Sequence, residues 1–457
     1  MRIKTPIFSI LKTSLPAALD LASQPVMWLI EAVFIGRLSA AALGGVGFAL
    51  QIIMLTSTLL LTFVMGATIL INRHLGSKDR WNANHILGQT VTAGFLLSIP
   101  IGLTWYFGSP YLFQIIREGE LMRSITAPYI SGFESGVQYL QTVALFAPIL
   151  VTNFVAVGMI RGAGDTHLSM TINVAMNITN ALLTPVLIYG LFGFPRLEVV
   201  GAALAMGVAH TFGFSITLFY LRRRTSTLYL SFKEMTTPKW KSFKQLFKMG
   251  LPTTVEQLVW SAGQLVVTGY VACIGITELA IHQVFLRIQG VLSMFYLGFG
   301  MAAMTHMGKN LGAKEHVIAE HTGKMTHRTV FVFVLLILLL MIIFSGPFLH
   351  LFIRKEDIVI ADYGFRILFV VFAIVQLPKA MNTVITGSLR GAGDIQWIMW
   401  INILAVFLWE IGINWIGAFI LHFGLLGIWS VQGLDEISKS CINYLRFRGG
   451  RWKLIHI

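Results

Sequence analysis

Asp20, Pro25 and Glu31 interrupt an otherwise apolar stretch near the start of the chain, LPAALDLASQPVMWLIEAVFIGRL at residues 15–38. An ionisable side chain at membrane depth costs about 2.5–3.5 kcal/mol even on the lenient insertion scale, so it usually faces a polar cavity and marks an ion or proton path. Pro25 removes one backbone hydrogen bond between the two acids and predisposes a helix to bend there. At ~1.5 Å per residue, Glu31 lies ~22 Å beyond Pro16, in the outer half of a membrane entered from the cytoplasmic side. Desolvation disfavours the charged form of a carboxyl, which makes Glu31 the first candidate for proton exchange. The alternative is an acid at the lip of the helix that only faces external water.

Other polar residues recur at chemically useful spacing. Asn173, Asn177, Asn180 and Thr184 fall on one face of a helix, a stripe that either joins helices or solvates the Glu31 carboxylate. Asp20 and Glu256 occupy matched places just after Leu15-Pro16 and Leu251-Pro252, where an acid stabilises a helix start, lines a vestibule or takes part in coupling. Lys379, at an estimated depth similar to that of Glu256, is its expected ion-pair partner, with Glu410 and Arg287 as a second candidate pair. Arg161-Gly-Ala-Gly-Asp165 reappears as Arg390-Gly-Ala-Gly-Asp394. Glycine permits tight turns and the Asp can cap the next helix, so both copies are expected as cytoplasmic gating loops. The pattern lacks the lysine and preceding strand of a P-loop, which excludes nucleotide hydrolysis. His210 is a further relay candidate, although a lone histidine more often packs or hydrogen-bonds.

The elements that must hold these residues follow from composition. Of 457 residues, 56% are hydrophobic and only 12% charged, with a mean hydropathy of +0.75, which describes a polytopic membrane protein. Apolar segments fall near 13–38, 43–72, 84–108, 136–160, 168–190 and 201–221, then near 246–273, 279–308, 328–353, 362–388, 396–421 and 424–445. Each is near the ~20 residues a bilayer requires. Residues 109–135 form a long external loop, and 222–248 the longest cytoplasmic one. The formal charge of +14 has a topological origin, because most Lys and Arg fall on one side when odd-numbered spans run outward. That is the positive-inside pattern, with both termini cytoplasmic in a cell inner or plasma membrane, and it argues against nucleic acid as a partner. Cys273 and Cys441 then lie at opposite faces, so neither a disulfide nor a metal site is expected.

The two halves repeat. Leu15-Pro16 meets Leu251-Pro252, Asp20 meets Glu256, Phe34 meets Tyr270, and Leu75-Gly76 meets Leu311-Gly312. Six spans per copy is an even number, so the copies are parallel and place a substrate path between them. The expected fold is all-α and integral to the membrane, twelve transmembrane helices in two parallel pseudo-symmetric six-helix lobes. The lobes are residues 1–225 and 246–457, joined by a cytoplasmic linker at 226–245.

Several motifs in order now carry a resemblance: the LP openings, VFIGRL, MIRGAGDT with SLRGAGD, GLLGIW and the terminal RFRGGRW. Over essentially its whole length the chain resembles the multidrug and toxic compound extrusion family. Glu256 followed by Gly263-Gln264 is similar to its bacterial branch named after DNA-damage-inducible protein F. The resemblance implies a secondary transporter, not an enzyme. Amphipathic or cationic compounds would leave by alternating access, with H⁺ or Na⁺ as coupling ion and no other cofactor, in a monomer among membrane lipids. It also implies a coupling acid at Glu31, usually Asp in the family. A second Asp usually precedes the helix-five proline, where this chain has Thr184, so Glu31 acts with Asn177, Asn180 and Thr184 as polar partners unless Asp20 stands in. Sodium-coupled members place carboxylates in the second lobe, where Glu256 and Lys379 are the candidates. Protons are the favoured reading. The rivals are sodium coupling and a flippase for a lipid-linked precursor; a membrane enzyme would need a metal or nucleophile cluster that the sequence lacks.

Overall fold

The computed structural model describes residues 7–118, 132–223, 227–231, 240–343 and 364–455. These residues form helices, with no strand among them. The first half holds α1 (Ile7–Gly36), α2 (Ala40–Gly76), α3 (Arg80–Glu118), α4 (Phe133–Leu145), α5 (Ala147–Gly162), α6 (Thr166–Tyr189) and α7 (Glu198–Arg222). The second half holds α8 (Trp240–Ile274), α9 (Ile276–Gly312), α10 (His316–Ile343), α11 (Gly364–Ala392), α12 (Ile395–Ala405) and α13 (Gly424–Arg448). Two π-helical stretches, Val406–Ile413 and Ile416–Ile420, continue α12. Helices are what apolar sequence must form in lipid, since every backbone N–H and C=O then finds its partner within the segment.

Ten described helices or helical stretches are long and apolar enough to cross a membrane, and α4 with α5 makes an eleventh as a pair bent by 68°. The bend falls at Phe146, and Pro148, lacking an N–H, sits in the first turn of α5. The twelfth span is α13, whose Asp435, Glu436 and Lys439 lower its hydropathy; all three are buried. The helices overrun the expected spans. Helix α3 continues to Glu118 and α4 begins at Phe133, so of the expected external loop only residues 119–131 remain, and these lie outside the described residues. The end of the ninth expected span, 344–353, also lies outside them.

The chain forms two compact units. One comprises Leu19–Ile71 and Asp79–Gly250; the other takes the chain up to Ala18, Asn72–Lys78 and everything from Leu251 onward. In the first unit the core gathers Met27, Trp105, Tyr139 and Met206. The described part of the expected linker packs there too: the Tyr229 N–H donates to Asn84 Oδ1 at 2.8 Å, and Leu228 is buried. Of the rest of that linker, 240–245 form the start of α8, while 226 and 232–239, with Thr236, Thr237 and Pro238, lie outside the described residues. In the second unit Phe285 stacks on Phe372, ring centroids 4.5 Å apart, and both meet Trp429 edge-on.

Glycine spacing explains how the two RGAGD sequences are held. Gly158 and Gly162 in α5 recur as Gly387 and Gly391 in α11, and this four-residue repeat lets helices approach closely. A Cβ at Gly162 would collide with Thr68 of α2, and one at Gly391 with the Met304 backbone of α9. Gly164 and Gly393 adopt φ of +90° and +88°, the left-handed turn that glycine makes without steric cost. The N–H of Asp165 donates to Ile160 O at 3.1 Å and that of Asp394 to Leu389 O at 2.9 Å, closing each helix with a Schellman-type turn. Gly391→Ala is expected to cost about 1–3 kcal/mol by overpacking against backbone that cannot yield. Thermal unfolding of the purified variant measures it.

Candidate functional site

Glu31 lies on α1 and is 1% exposed. The Tyr139 hydroxyl of α4 donates to Glu31 Oε1 at 2.7 Å, while Glu31 Oε2 has no protein partner. Tyr139 also lies 3.6 Å from Met206 Sδ, so the carboxyl is set among apolar side chains with one fixed donor. The expected amide partners stand otherwise. Thr184 Oγ1 donates to Asn180 Oδ1 at 2.7 Å, leaving Asn180 Nδ2 and Asn177 Oδ1 unpartnered. Neither Asn180 nor Thr184 hydrogen-bonds Glu31. His210 of α7 is buried with Nδ1 unpartnered. A carboxyl with one donor and one free oxygen is half provided for as an anion; burying a charge so incompletely paired is costly, and a proton on the free oxygen removes that cost.

The matched acids belong to a different construction. Asp20 takes hydrogen bonds from Arg161 Nε at 2.7 Å, Ser169 Oγ at 2.8 Å and Asn173 Nδ2. Glu256 Oε1 takes them from Arg390 Nη2 and Asn402 Nδ2, both at 2.6 Å. Each repeat thus holds one acid on its first helix, the arginine of its RGAGD sequence and an asparagine on the helix that follows. Asn173 is one end of the polar stripe, which therefore divides between Asp20 and the Asn180–Thr184 pair. The Asp side chains of the two motifs do not cap. Asp165 and Asp394 precede α6 and α12 without a side-chain cap hydrogen bond, and Asp394 instead takes Arg446 Nε at 2.8 Å and Nη2 at 3.3 Å.

The expected Glu256–Lys379 pair is corrected by this geometry. Both α8 and α11 extend past the limits inferred from hydropathy, and Arg390, three turns beyond Lys379 on α11, is the cation that reaches Glu256. Lys379 lies 3.8 Å from Glu436 instead. The second expected pair is absent as well: Glu410 Oε1 accepts from Gln264 Nε2 at 3.2 Å, and no ion pair joins Glu410 to Arg287.

Glu436 belongs to a buried cluster that sequence reasoning missed. Lys439 Nζ is 2.7 Å from Asp435 Oδ2 and 3.4 Å from Glu436 Oε1. Glu436 Oε2 accepts from Asn382 Nδ2 at 3.0 Å, and Asn382 Oδ1 from Asn443 Nδ2 at 3.0 Å. Glu410 Oε2 and Asp435 Oδ1 have no protein partner, and the Glu410 carboxylate occupies the space that a side chain at Gly263 would fill. Asp435 and Glu436 pair with Lys439 and Lys379, and Glu410 lies within electrostatic reach of all four, so three acids share two ammonium groups. Asp435 and Glu436 fall inside the twelfth expected span, 424–445, as acids with no partner evident from the sequence. The one available signal was their spacing: with Lys439 they share a helix face at i+3 and i+4. Among the described residues no group of His, Cys, Asp and Glu could hold a metal ion, and both cysteines are free and exposed.

Twelve membrane-spanning helices in two six-helix lobes, built on a repeat whose acids, arginines and glycines recur, make a multi-pass membrane protein, and the family whose model it matches is one of transporters and not of enzymes. The MatE family model matches residues 16–186 and 252–416, most of both halves, and the chain belongs to that family. A probable multidrug resistance protein NorM from Thermotoga maritima is 26% identical over 97% of this chain and 92% of its own length. The transporter YisQ of Bacillus subtilis is 24% identical over 97% and 95%. Among solved structures, a MOP superfamily transporter from Pyrococcus furiosus superposes with a TM-score of 0.83 at 20% identity, covering 96% of this chain and 95% of that one.

Proposed function

We propose that the chain exports small amphipathic, often cationic, organic compounds in exchange for protons, which bind and leave Glu31 as two six-helix lobes alternate access. The observation that carries this reading is the buried Glu31 carboxyl with Tyr139 on one oxygen and nothing on the other. Protonated, it is a neutral group in an apolar setting; deprotonated, it needs water or a second donor, so the two forms favour different arrangements of α1 and its neighbours. The names of curated relatives, probable multidrug resistance proteins, support the substrate class. The test is transport into inverted vesicles under an imposed pH gradient or an imposed sodium gradient, one at a time. Uptake under the pH gradient alone supports the reading, and uptake that requires sodium opposes it.

A second reading has its own observation. The Glu410–Asp435–Glu436 cluster carries one more acid than base and two unpartnered carboxylate oxygens, so it is short of one positive charge. If sodium alone drives transport, this cluster, with Glu256 set aside in its pair with Arg390, is where the ion is expected, in a conformation that draws together carboxylates which do not form a ligand set in the arrangement described.

The proposed setting is a cell inner or plasma membrane with both termini in the cytoplasm. A cysteine introduced between residues 232 and 239 is expected to react with an impermeant maleimide only in inverted vesicles. Labelling in intact cells would reverse the topology.

A further inference from the structure

A groove of about 790 Å³ runs along the second unit between α10, α11 and α13. Its two ends differ in chemistry. One rim is formed by His327 and Arg328 of α10 with Tyr444 of α13, the His327 and Tyr444 rings stacked at 5.6 Å. From this rim the groove deepens past Phe331, Ile374 and Ile437, all exposed on the flank of the unit. Ile437 lies two turns before Tyr444, so the apolar floor extends ~10 Å from the rim.

The rim is at the polar end of all three helices. Helix α10 starts where α13 finishes, as the 2.5 Å ion pair between Glu320 and Lys453 requires. No charged residue follows Arg328 in α10, and α13 ends at Arg446 and Arg448. Arg328 therefore stands where charge meets hydrocarbon. It is exposed, and no acid among the described residues pairs with it. An arginine in this position extends its head toward the interface, where an anion can satisfy it.

The occupant must be apolar over most of its length and anionic at one end, and it must reach the groove from within a bilayer. A soluble protein cannot meet the last condition; an acidic glycerophospholipid meets all three. We propose that this groove binds one acidic glycerophospholipid, its headgroup phosphate on Arg328 and one acyl chain along Phe331, Ile374 and Ile437. The groove's lining belongs to the second unit and Glu31 to the first.

Cys441 lines the groove and is exposed, and the chain's other cysteine is Cys273. In a Cys273→Ser variant of the full chain, Cys441 is the sole thiol and reports occupancy. The measurement is its rate of reaction with a membrane-permeant maleimide in phosphatidylcholine nanodiscs with or without phosphatidylglycerol. Cys273 in a Cys441→Ser variant supplies the baseline for bulk surface charge. Relative to that baseline, phosphatidylglycerol is expected to slow Cys441 about fivefold, the factor one basic residue near an anionic surface supplies. Arg328→Gln is expected to remove the difference and Arg328→Lys to retain most of it. Equal relative rates in the two lipid mixtures overturn the proposal, and so does slowing that persists in Arg328→Gln.

Discussion

Glu31→Gln is expected to bind substrate as the wild type does and to lose uptake driven by a pH gradient. Glutamine keeps the shape of the side chain and can still accept from Tyr139, but it has no proton to exchange. The loss should therefore appear in coupling and not in folding or affinity. A coupling free energy of ~1–3 kcal/mol is typical between two sites, and one carboxyl supplies it when its surroundings differ between two conformations. Glu31→Asp is expected to be partly active, because the shorter side chain draws the carboxyl away from the Tyr139 hydroxyl that lies 2.7 Å from it. Vesicle uptake under a pure proton gradient, with binding measured separately by fluorescence titration, distinguishes the two steps. Wild-type export by Glu31→Gln would make this acid a bystander and shift attention to the Glu410–Asp435–Glu436 cluster.

The Glu256–Arg390 pair is expected to show the largest stability effect. Its side chains are 12% and 16% exposed and meet at 2.6 Å. Removing one partner of such a pair strands the other charge and costs roughly 3–5 kcal/mol, whereas replacing both by apolar or neutral groups is often close to neutral. Arg390→Met should therefore lower the stability of the purified protein sharply, and Glu256→Gln with Arg390→Met should recover most of the loss. Lys379→Met is the internal control. Combined with Glu256→Gln its effect should be additive, because Lys379 pairs with Glu436. Additive losses for Glu256 and Arg390 as well would mean that the two do not interact.

Why some of this was legible in the sequence and some not has a physical cause in each case. Transmembrane spans and the repeat come from composition and local pattern, so twelve spans could be read directly. Glu31 announced itself because an acid within an apolar helix is rare. Its donor did not, since Tyr139 is 108 positions away and a tyrosine in a membrane span needs no special explanation. Lys379 was matched to Glu256 by counting residues from the ends of hydrophobic segments. That ruler fails when helices continue past the apolar region, as α8 does by starting at Trp240. Lys439 lies in the same helix as Arg446 and Arg448, and nothing in the sequence separates it from them, yet it is 5% exposed among acids. Which way a charge on a final span faces is decided by packing against other helices, which the local sequence does not carry.

The π turns that carry Glu410 have a consequence for how the chain tolerates changes of length. A π turn holds about one residue more than an α turn for nearly the same advance along the axis. Removing a single residue between Val406 and Ile413 would allow the stretch to relax to an ordinary helix and reach almost the same distance across the bilayer. The shortened turn is still one full turn, so the residues beyond the deletion also keep nearly their former direction, whereas the same deletion in the α-helical Ile395–Ala405 stretch would turn everything after it by ~100° about the axis. In this part of the chain the π turns are where loss of a residue is absorbed locally.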